Sequence, residues 1–383
     1  MAGIEVRPVE GRRDLDRFIA MPRLVYRDDP NWIAPLPMER KDVLKPGRNP
    51  YFQHAEAQLF LAFDGDACVG RISAQIDRLS LERYRDRTGQ FGFLEAVDDR
   101  AVFSALLDQA ERWLAERGMT RVRGPFSFSI NEETGLLVDG FDTPPRLMMG
   151  HARPYYAARL EELGYAKAKD IIAYDYALDT PFPRKMALIL KRVLRSGDIR
   201  VRPISKRHLE RDLDIIISIF NDAWSDNWGF VPMTDAEIKH LGKNLKLLVT
   251  EGYIAIAEIQ GEPAAMAVTL PDVNDWIADL DGRLLPFGWA KLLYRFMTPP
   301  KAARLPLMGV RKSYQGTPMG TALALAVIEA VRVYHAARGL ERAELSWILE
   351  DNVSMRRIIE ELDAHPYKTY RIYERSLPRD PSA

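Results

Sequence analysis

One short phrase occurs twice in the chain. IEVRPVE at residues 4–10 returns as IRVRPIS at 199–205, and the segments after each copy repeat as well. The first copy leads into an apolar-periodic stretch that predicts a helix (RRDLDRFIAMPRLVY) and a hairpin about Asp64-Gly65 (AQLFLAFDGDACVGRISAQID). A helix ended by Gly118 (AVFSALLDQAERWLAERG) and a strand in TRVRGPFSFSI come next. The second copy leads into the helix ERDLDIIISIFNDAW and the hairpin YIAIAEIQGEPAAMAVTLPD, turning at Gln260-Gly261. Then come the strand LPLMGV, a helix, the strand RAELSWI, the helix VSMRRIIEEL and a last strand in YKTYRIYE. A repeat about 195 residues apart is a duplicated domain rather than a short-repeat solenoid. Strands interleaved with helices predict a mixed α/β class, each copy a mixed central sheet flanked by helices. A chain of 383 residues has room for two such cores. The expected division is a domain at 1–178, a basic helical linker at 179–198 and a domain at 199–383. The linker, DTPFPRKMALILKRVLRSGD, joins basic residues to an apolar face, a pattern that suits both a docked connector and a surface-binding element.

Composition removes several functions. Lysine plus arginine equal aspartate plus glutamate at 54 each, so no net field gathers nucleic acid from a distance, and no nucleic-acid partner is expected. The single cysteine, Cys68, allows neither an internal disulfide nor a cysteine-built zinc site. The six histidines are scattered without HxH or HxxxH spacing, so no metal is expected. MAGIEVRPVEGRRDLDRF lacks the pattern of a signal peptide, and the apolar runs IIISIF and ALALAVIEAV fall short of the ~20 residues that span a bilayer. The expected location is the cytoplasm.

The most suggestive segment is VRKSYQGTPMGTALALAVIEAV, residues 310–331: a strand end, a turn with two glycines, and a helix of small residues. A phosphate held at a helix N-terminus needs free amides, small side chains and the helix dipole. Gln315, Gly316, Thr317, Met319, Gly320 and Thr321 offer these, and Ala322, Ala324 and Ala326 let the helix lie close to a sheet. Pro318 removes one donor yet suits a first helical turn. Taken alone, the pattern is equally that of an ordinary strand-to-helix turn.

In its setting, followed by a strand and a helix led by Asn352, the segment resembles the GNAT superfamily of acyl-CoA-dependent N-acyltransferases. Their phosphate loop runs Q/R-x-x-G-x-G/A; here it is Gln315-x-x-Pro318-x-Gly320, and the middle position departs. The resemblance implies coenzyme A pyrophosphate on the amides of 315–321, pantetheine along Met308, Gly309 and Val310 at a splayed strand end, and Asn352 beside the cofactor arm. Stretches such as DDPNWIAPL, GPFSFSINEETGLLVDGFDTPP and FNDAWSDNWGFVPMTDAE make nearly the full length similar to tandem GNAT-like bacterial proteins, a neighbourhood that includes bacterial ceramide synthases. The implied reaction is acyl transfer from acyl-CoA to an amine, with a sphingoid-like lipid amine and a long-chain donor favoured. The alternatives are a small-molecule or peptide N-acetyltransferase, a non-catalytic acyl-CoA sensor, and an aminoacyl-tRNA-dependent transferase. In the first copy the matching place reads EAVDDRAVFSALL. Asp98 and Asp99 there would repel a pyrophosphate, so that domain is expected to be scaffold and acceptor-site wall.

N-acyl transfer needs a deprotonated amine, a polarised carbonyl and a proton for the leaving thiolate. Where the superfamily usually places a glutamate base and a tyrosine acid, this chain has Trp347 and Ile359. The remaining candidates are Glu344, on one strand face with Ser346, then Glu133 as a second base and Tyr370 as the acid. Each also has a structural reading: a carboxylate paired with arginine, a loop that caps itself, a packing tyrosine. Substrate contacts are sought at Asn131, Glu132, Tyr155 and Tyr156, at Asn221, Trp224 and Trp228 of NDAWSDNWGF, and at Asn274. The insert DGRLLPFGWAKLLYRFM, 281–297, interleaves Phe287 and Trp289 with Lys291 and Arg295. It suits both a cover for the core and a peripheral seat at the inner membrane surface.

Overall fold

The computed structural model describes residues 3–248 and 250–378. They form two compact units that do not follow a single cut along the chain. Unit one takes in the chain up to Ile171, Ile277–Pro286 and the stretch from Lys368 on; unit two is Ile172–Trp276 with Phe287–Tyr367.

In unit one, β1 (Glu5–Pro8), β2 (Ala55–Asp64), β3 (Ala67–Asp77) and β4 (Thr88–Ala96) pair antiparallel in succession, and β5 (Arg121–Gly124) adds in parallel to β4. The long helix read near the N-terminus is divided into Gly11–Ala20 and Pro22–Val25. Pro22 has no amide to continue the first helix but is at home in a first turn. β4 is absent from the sequence reading because both of its faces are largely buried and it shows no alternation. The helix Arg100–Ala115 lies so near the sheet that a Cβ on Gly70 would come 2.7 Å from Leu106, and one on Gly89 2.4 Å from Leu114. Beyond β5 come β6 (Phe126–Ser127) and β7 (Glu133–Thr134), which pair with each other, then β8 (Leu136–Asp139) and β9 (Ala166–Ala177), whose residues from Ile172 on belong to unit two.

Unit two repeats the order. β10 (Ile199–Pro203), β11 (Ile254–Ile259), β12 (Glu262–Pro271) and β13 (Ala302–Val310) are antiparallel neighbours, and β14 (Arg342–Leu349) runs parallel to β13. Gln260 and Gly261 both have positive φ, 52° and 87°, the two-residue turn whose twist matches its strands. The helix Pro318–Ala336 packs on β11 and β12 through Ala322, Ala324 and Ala326 among others. Its length and apolar composition would let it cross a membrane, yet it is a core helix, mostly buried. The linker helix Arg184–Ser196 docks on the same core through Met186 and Leu190. Last comes β15 (His365–Ser376), which from Lys368 onward pairs with β5 and β8 and so belongs to unit one.

Near the end of the long helix, His335 is buried with Nε2 2.7 Å from Thr269 Oγ1, while that hydroxyl donates to the Tyr253 carbonyl. Nε2 is therefore the donor, and the buried Nδ1 has no partner. Burial lowers the imidazole's pKa to about 4. Between that value and the ordinary ~6.5 the unfolded chain binds the extra proton, so stability rises with pH across this window, and lowering the pH through it costs up to ~3 kcal/mol. Denaturant melts at pH 7 and pH 4.5 should show the loss. His335→Gln, which keeps a donor toward Thr269 but does not titrate, should remove this part of it.

Candidate active site

The parallel ladder of β13 and β14 joins Ala302–Leu305 to Arg342–Leu345. Beyond it β13 continues to Val310, still paired with β12, and β14 to Leu349, but the two no longer pair with each other, so on their facing edges they part and leave backbone groups for an extended ligand. The helix Leu209–Trp224 presses on β13 at this point: a Cβ on Gly309 would stand 3.2 Å from Ala223 and 3.3 Å from Ile219. Trp224 Nε1 donates to the Met308 carbonyl at 2.9 Å. Met308, Gly309, Val310 and Trp224 are thus brought together, with Asn221 one turn earlier and its Oδ1 buried without a partner. The helix stops at Trp224, as read from the sequence, and Trp228 lies in the turn that Gly229 closes with a φ of 73°.

The loop after β13 is folded tightly on itself. Gln315 Nε2 donates to the Val310 carbonyl at 2.8 Å and the Ala223 carbonyl at 3.3 Å, tying the loop to strand and helix. Thr317 caps the helix, its Oγ1 accepting the Gly320 amide at 3.1 Å, and Pro318 is the first helical residue. A Cβ on Gly320 would lie 2.1 Å from the Tyr314 carbonyl oxygen, so only glycine fits. The amides of Gln315, Thr317, Gly320 and Thr321 already bond within the loop. Among the described contacts, those of Gly316 and Met319 have none. These two donors, at the positive end of a long helix and beside an open strand pair, fit the pyrophosphate and arm of acyl-CoA.

Unit one differs at the matching places. Asp99 caps the helix Arg100–Ala115 by accepting the Ala101 amide at 2.7 Å, and Asp98 holds Arg159 at 2.8 Å. Beside β4, the Phe126 carbonyl oxygen would be 1.7 Å from a Cβ on Gly92, and Gln75 Nε2 donates to that oxygen at 2.7 Å. Backbone fills the space where unit two opens.

The proton-carrier candidates are held by partners. Glu344 faces Arg304 across the last paired rungs of β13 and β14, both fully buried. Its Oε1 accepts from Ser346 Oγ at 2.6 Å and lies 3.3 Å from Arg304 Nε; its Oε2 accepts from the Tyr367 hydroxyl. Arg304 Nε donates to Ser346 Oγ at 2.8 Å, and its guanidinium lies 4.4 Å from the centre of the Trp347 ring. Trp347 is thus the platform of a buried cation, and Ile359 is a core residue. Arg304 and Tyr367 were missed by sequence reasoning. The signal for Arg304 was one cation in the otherwise apolar AARLPLMGV, which burial obliges to find an anion.

Asn352 caps the helix Val353–Glu361, its Oδ1 accepting the Met355 amide at 3.2 Å. Asn274 opens the short helix Asn274–Ile277, its amide donating to Asp272 Oδ1 at 3.3 Å. The other candidates belong to unit one. Glu133 is ion-paired with Arg40. The amides of Asn131 and Glu132 bond to Ser129, on its Oγ and carbonyl respectively. Tyr156 donates to Glu95 Oε2 at 2.7 Å, as does Tyr26, and burial raises the Glu95 pKa. Tyr155 donates to the Ala96 carbonyl at 2.7 Å, its phenol pushed up to about 12 by burial. Tyr370 is buried in β15 opposite Leu137. Among the described residues, no group of three or more His, Cys, Asp or Glu is placed to hold a metal ion.

No family model matches the chain. It is 48% identical over 378 residues to a protein named bacterial ceramide synthase from Caulobacter vibrioides, covering 98% of each. It is 45% identical over 374 residues to protein YghO of Escherichia coli, covering 97% of this chain and 95% of that one. Among solved structures, a tandem GNAT protein from the clavulanic acid biosynthesis pathway matches with a TM-score of 0.57 at 13% identity, over 98% of this chain and 99% of that one. That likeness is one of fold, and it bears out the tandem GNAT architecture expected from the duplicated strands and the QGTPMG loop.

Proposed function

We propose that this chain, which belongs to the family of the Caulobacter vibrioides bacterial ceramide synthase and Escherichia coli YghO, is an acyl-CoA-dependent N-acyltransferase whose preferred acceptor is a long-chain, sphingoid-type amine. The observation that carries the reaction class is the parting of β13 and β14 at a glycine-bearing loop whose helix start keeps two amides open. The acceptor preference leans on the relative's name and on the apolar insert 281–297. Acyl-CoA supplies an activated thioester carbonyl. The chain's own groups bind it: the Gly316 and Met319 amides hold the pyrophosphate, and the β13 backbone from Met308 to Val310 aligns the arm.

At the closed end of the opening, Glu344 is the proposed acid–base centre. Arg304 fixes it, and Ser346, which donates to it, passes it the proton taken from the amine; as the new C–N bond replaces the C–S bond, the same proton returns to the departing thiolate. Unit one is proposed as a scaffold without coenzyme A, supported by Asp98, Asp99 and the closed space at Gly92. The charged pyrophosphate keeps acyl-CoA inside the cell, so the cytoplasm is the proposed location. A second reading, an acyl-CoA sensor without turnover, draws on Glu344 being engaged on both oxygens.

Thermal shift with acetyl-CoA and palmitoyl-CoA, followed by thiol release against a panel of amines, tests these readings. Stabilisation by palmitoyl-CoA with release from a sphingoid base is the expected result. Glu344→Gln should lower turnover by ~100-fold while keeping the shift. No shift with either thioester overturns the cofactor assignment, and a shift without release from any amine favours the sensor.

A further inference from the structure

Seven of the fourteen large hydrophobic side chains exposed among the described residues fall within residues 285–297. The helix Gly288–Phe296 accounts for most of them. Its inner side is anchored in unit two: Phe296 lies 4.9 Å from the Trp276 ring, and Arg295 donates to the Trp276 carbonyl. Trp289, Leu293 and Met297, spaced at i, i+4 and i+8 on one line of the helix, are 54%, 60% and 73% exposed. A helix that merely covers a core turns its apolar stripe inward. This one turns aromatic and aliphatic side chains outward, a patch of the kind that marks an interaction surface.

The same unit also carries one locally basic helix that has no acidic residue. The linker helix Arg184–Ser196 docks by its apolar side and exposes Arg184, Lys185, Lys191, Arg192 and Arg195, none in an ion pair among the described residues. The chain as a whole is neutral, so this charge is local. Exposed apolar rings and unneutralised cations in one unit complement the acyl boundary and the anionic headgroups of a bilayer. A second copy meeting this unit through the same basic helix would set like charge against like.

We propose that unit two seats on an anionic membrane surface, with the helix Gly288–Phe296 lying in the headgroup layer and Trp289, Leu293 and Met297 entering the acyl boundary. This inference goes beyond the reaction and does not need the acceptor assignment, because binding is read without either substrate.

The test is co-sedimentation of the full chain with phosphatidylglycerol–phosphatidylethanolamine vesicles and with phosphatidylcholine vesicles, at about 0.1 M salt. Affinity for the anionic vesicles should exceed that for the neutral ones by about tenfold or more. The pair Trp289→Ser with Leu293→Glu should lower it by about tenfold, with circular dichroism and melting temperature unchanged because both side chains are exposed. Lys191→Glu with Arg192→Glu should weaken binding and flatten its salt dependence. Protein that stays in the supernatant with anionic vesicles overturns the proposal, and so does unchanged binding by the Trp289/Leu293 pair. Light scattering that shows a dimer which this pair splits, without vesicle binding, overturns it in favour of an interface between copies.

Discussion

Gly320→Ala is expected to abolish the acyl-CoA thermal shift and to lower turnover by roughly 100-fold. The added Cβ would fall 2.1 Å from the Tyr314 carbonyl oxygen, a backbone atom that no rotamer can move aside. Relief requires the start of the helix Pro318–Ala336 to slide away from the loop, breaking the Thr317 cap and carrying off the Met319 amide. Gly316→Ala is the control. Its Cβ meets nothing within 4 Å, but its φ of 72° strains an alanine, so a stability loss of ~1 kcal/mol with modest loss of binding is expected. If Gly320→Ala keeps both the shift and the turnover, the loop is not the phosphate site.

Arg304→Met is expected to cost about 3–5 kcal/mol of stability, because it strands the buried Glu344 carboxylate without its cation. In a thermal melt this is a drop on the order of 10 °C. The double change Arg304→Met with Glu344→Leu should recover most of the loss, since removing both charges also removes their desolvation. A double variant no more stable than the single one would mean that the two groups are not coupled. The pair of experiments separates the structural share of this centre from its chemistry, which Glu344→Gln reads through turnover.

Much of the fold was legible because its signals are local. Gln260-Gly261 is a turn pair between strands, the first hairpin was legible to within one residue because Asp64 pairs with Ala67 and the turn is Gly65-Asp66, and Thr317 with Pro318 reads as a helix start in any context. β4 and β9 were not legible. β4 is buried on both faces, and β9 opens on the exposed Lys167 and half-buried Lys169 before its apolar part begins. The loop of the candidate site was legible for the same reason as the turns. Its buried centre was not, because Arg304, Glu344 and Tyr367 come from three strands and meet only through the register of β13 on β14. The same limit hid the pairing of Glu133 with Arg40 and the hydroxyls on Glu95. Amphipathic spacing in 288–296 announced a helix with an apolar face but carried no information on which way that face would turn.

The return of β15 to unit one bears on how the chain is made. Gly124 of β5 pairs with Tyr373, and Val122 with Arg375. A ribosome releases β1 to β5 and the helix Arg100–Ala115 long before it releases the strand that closes them. Until then the edge of β5 has no neighbour on that side and is open to pairing with other chains. Unit one, first to be synthesised, must be among the last to close, and an early arrest of translation would leave it with a bare sheet edge.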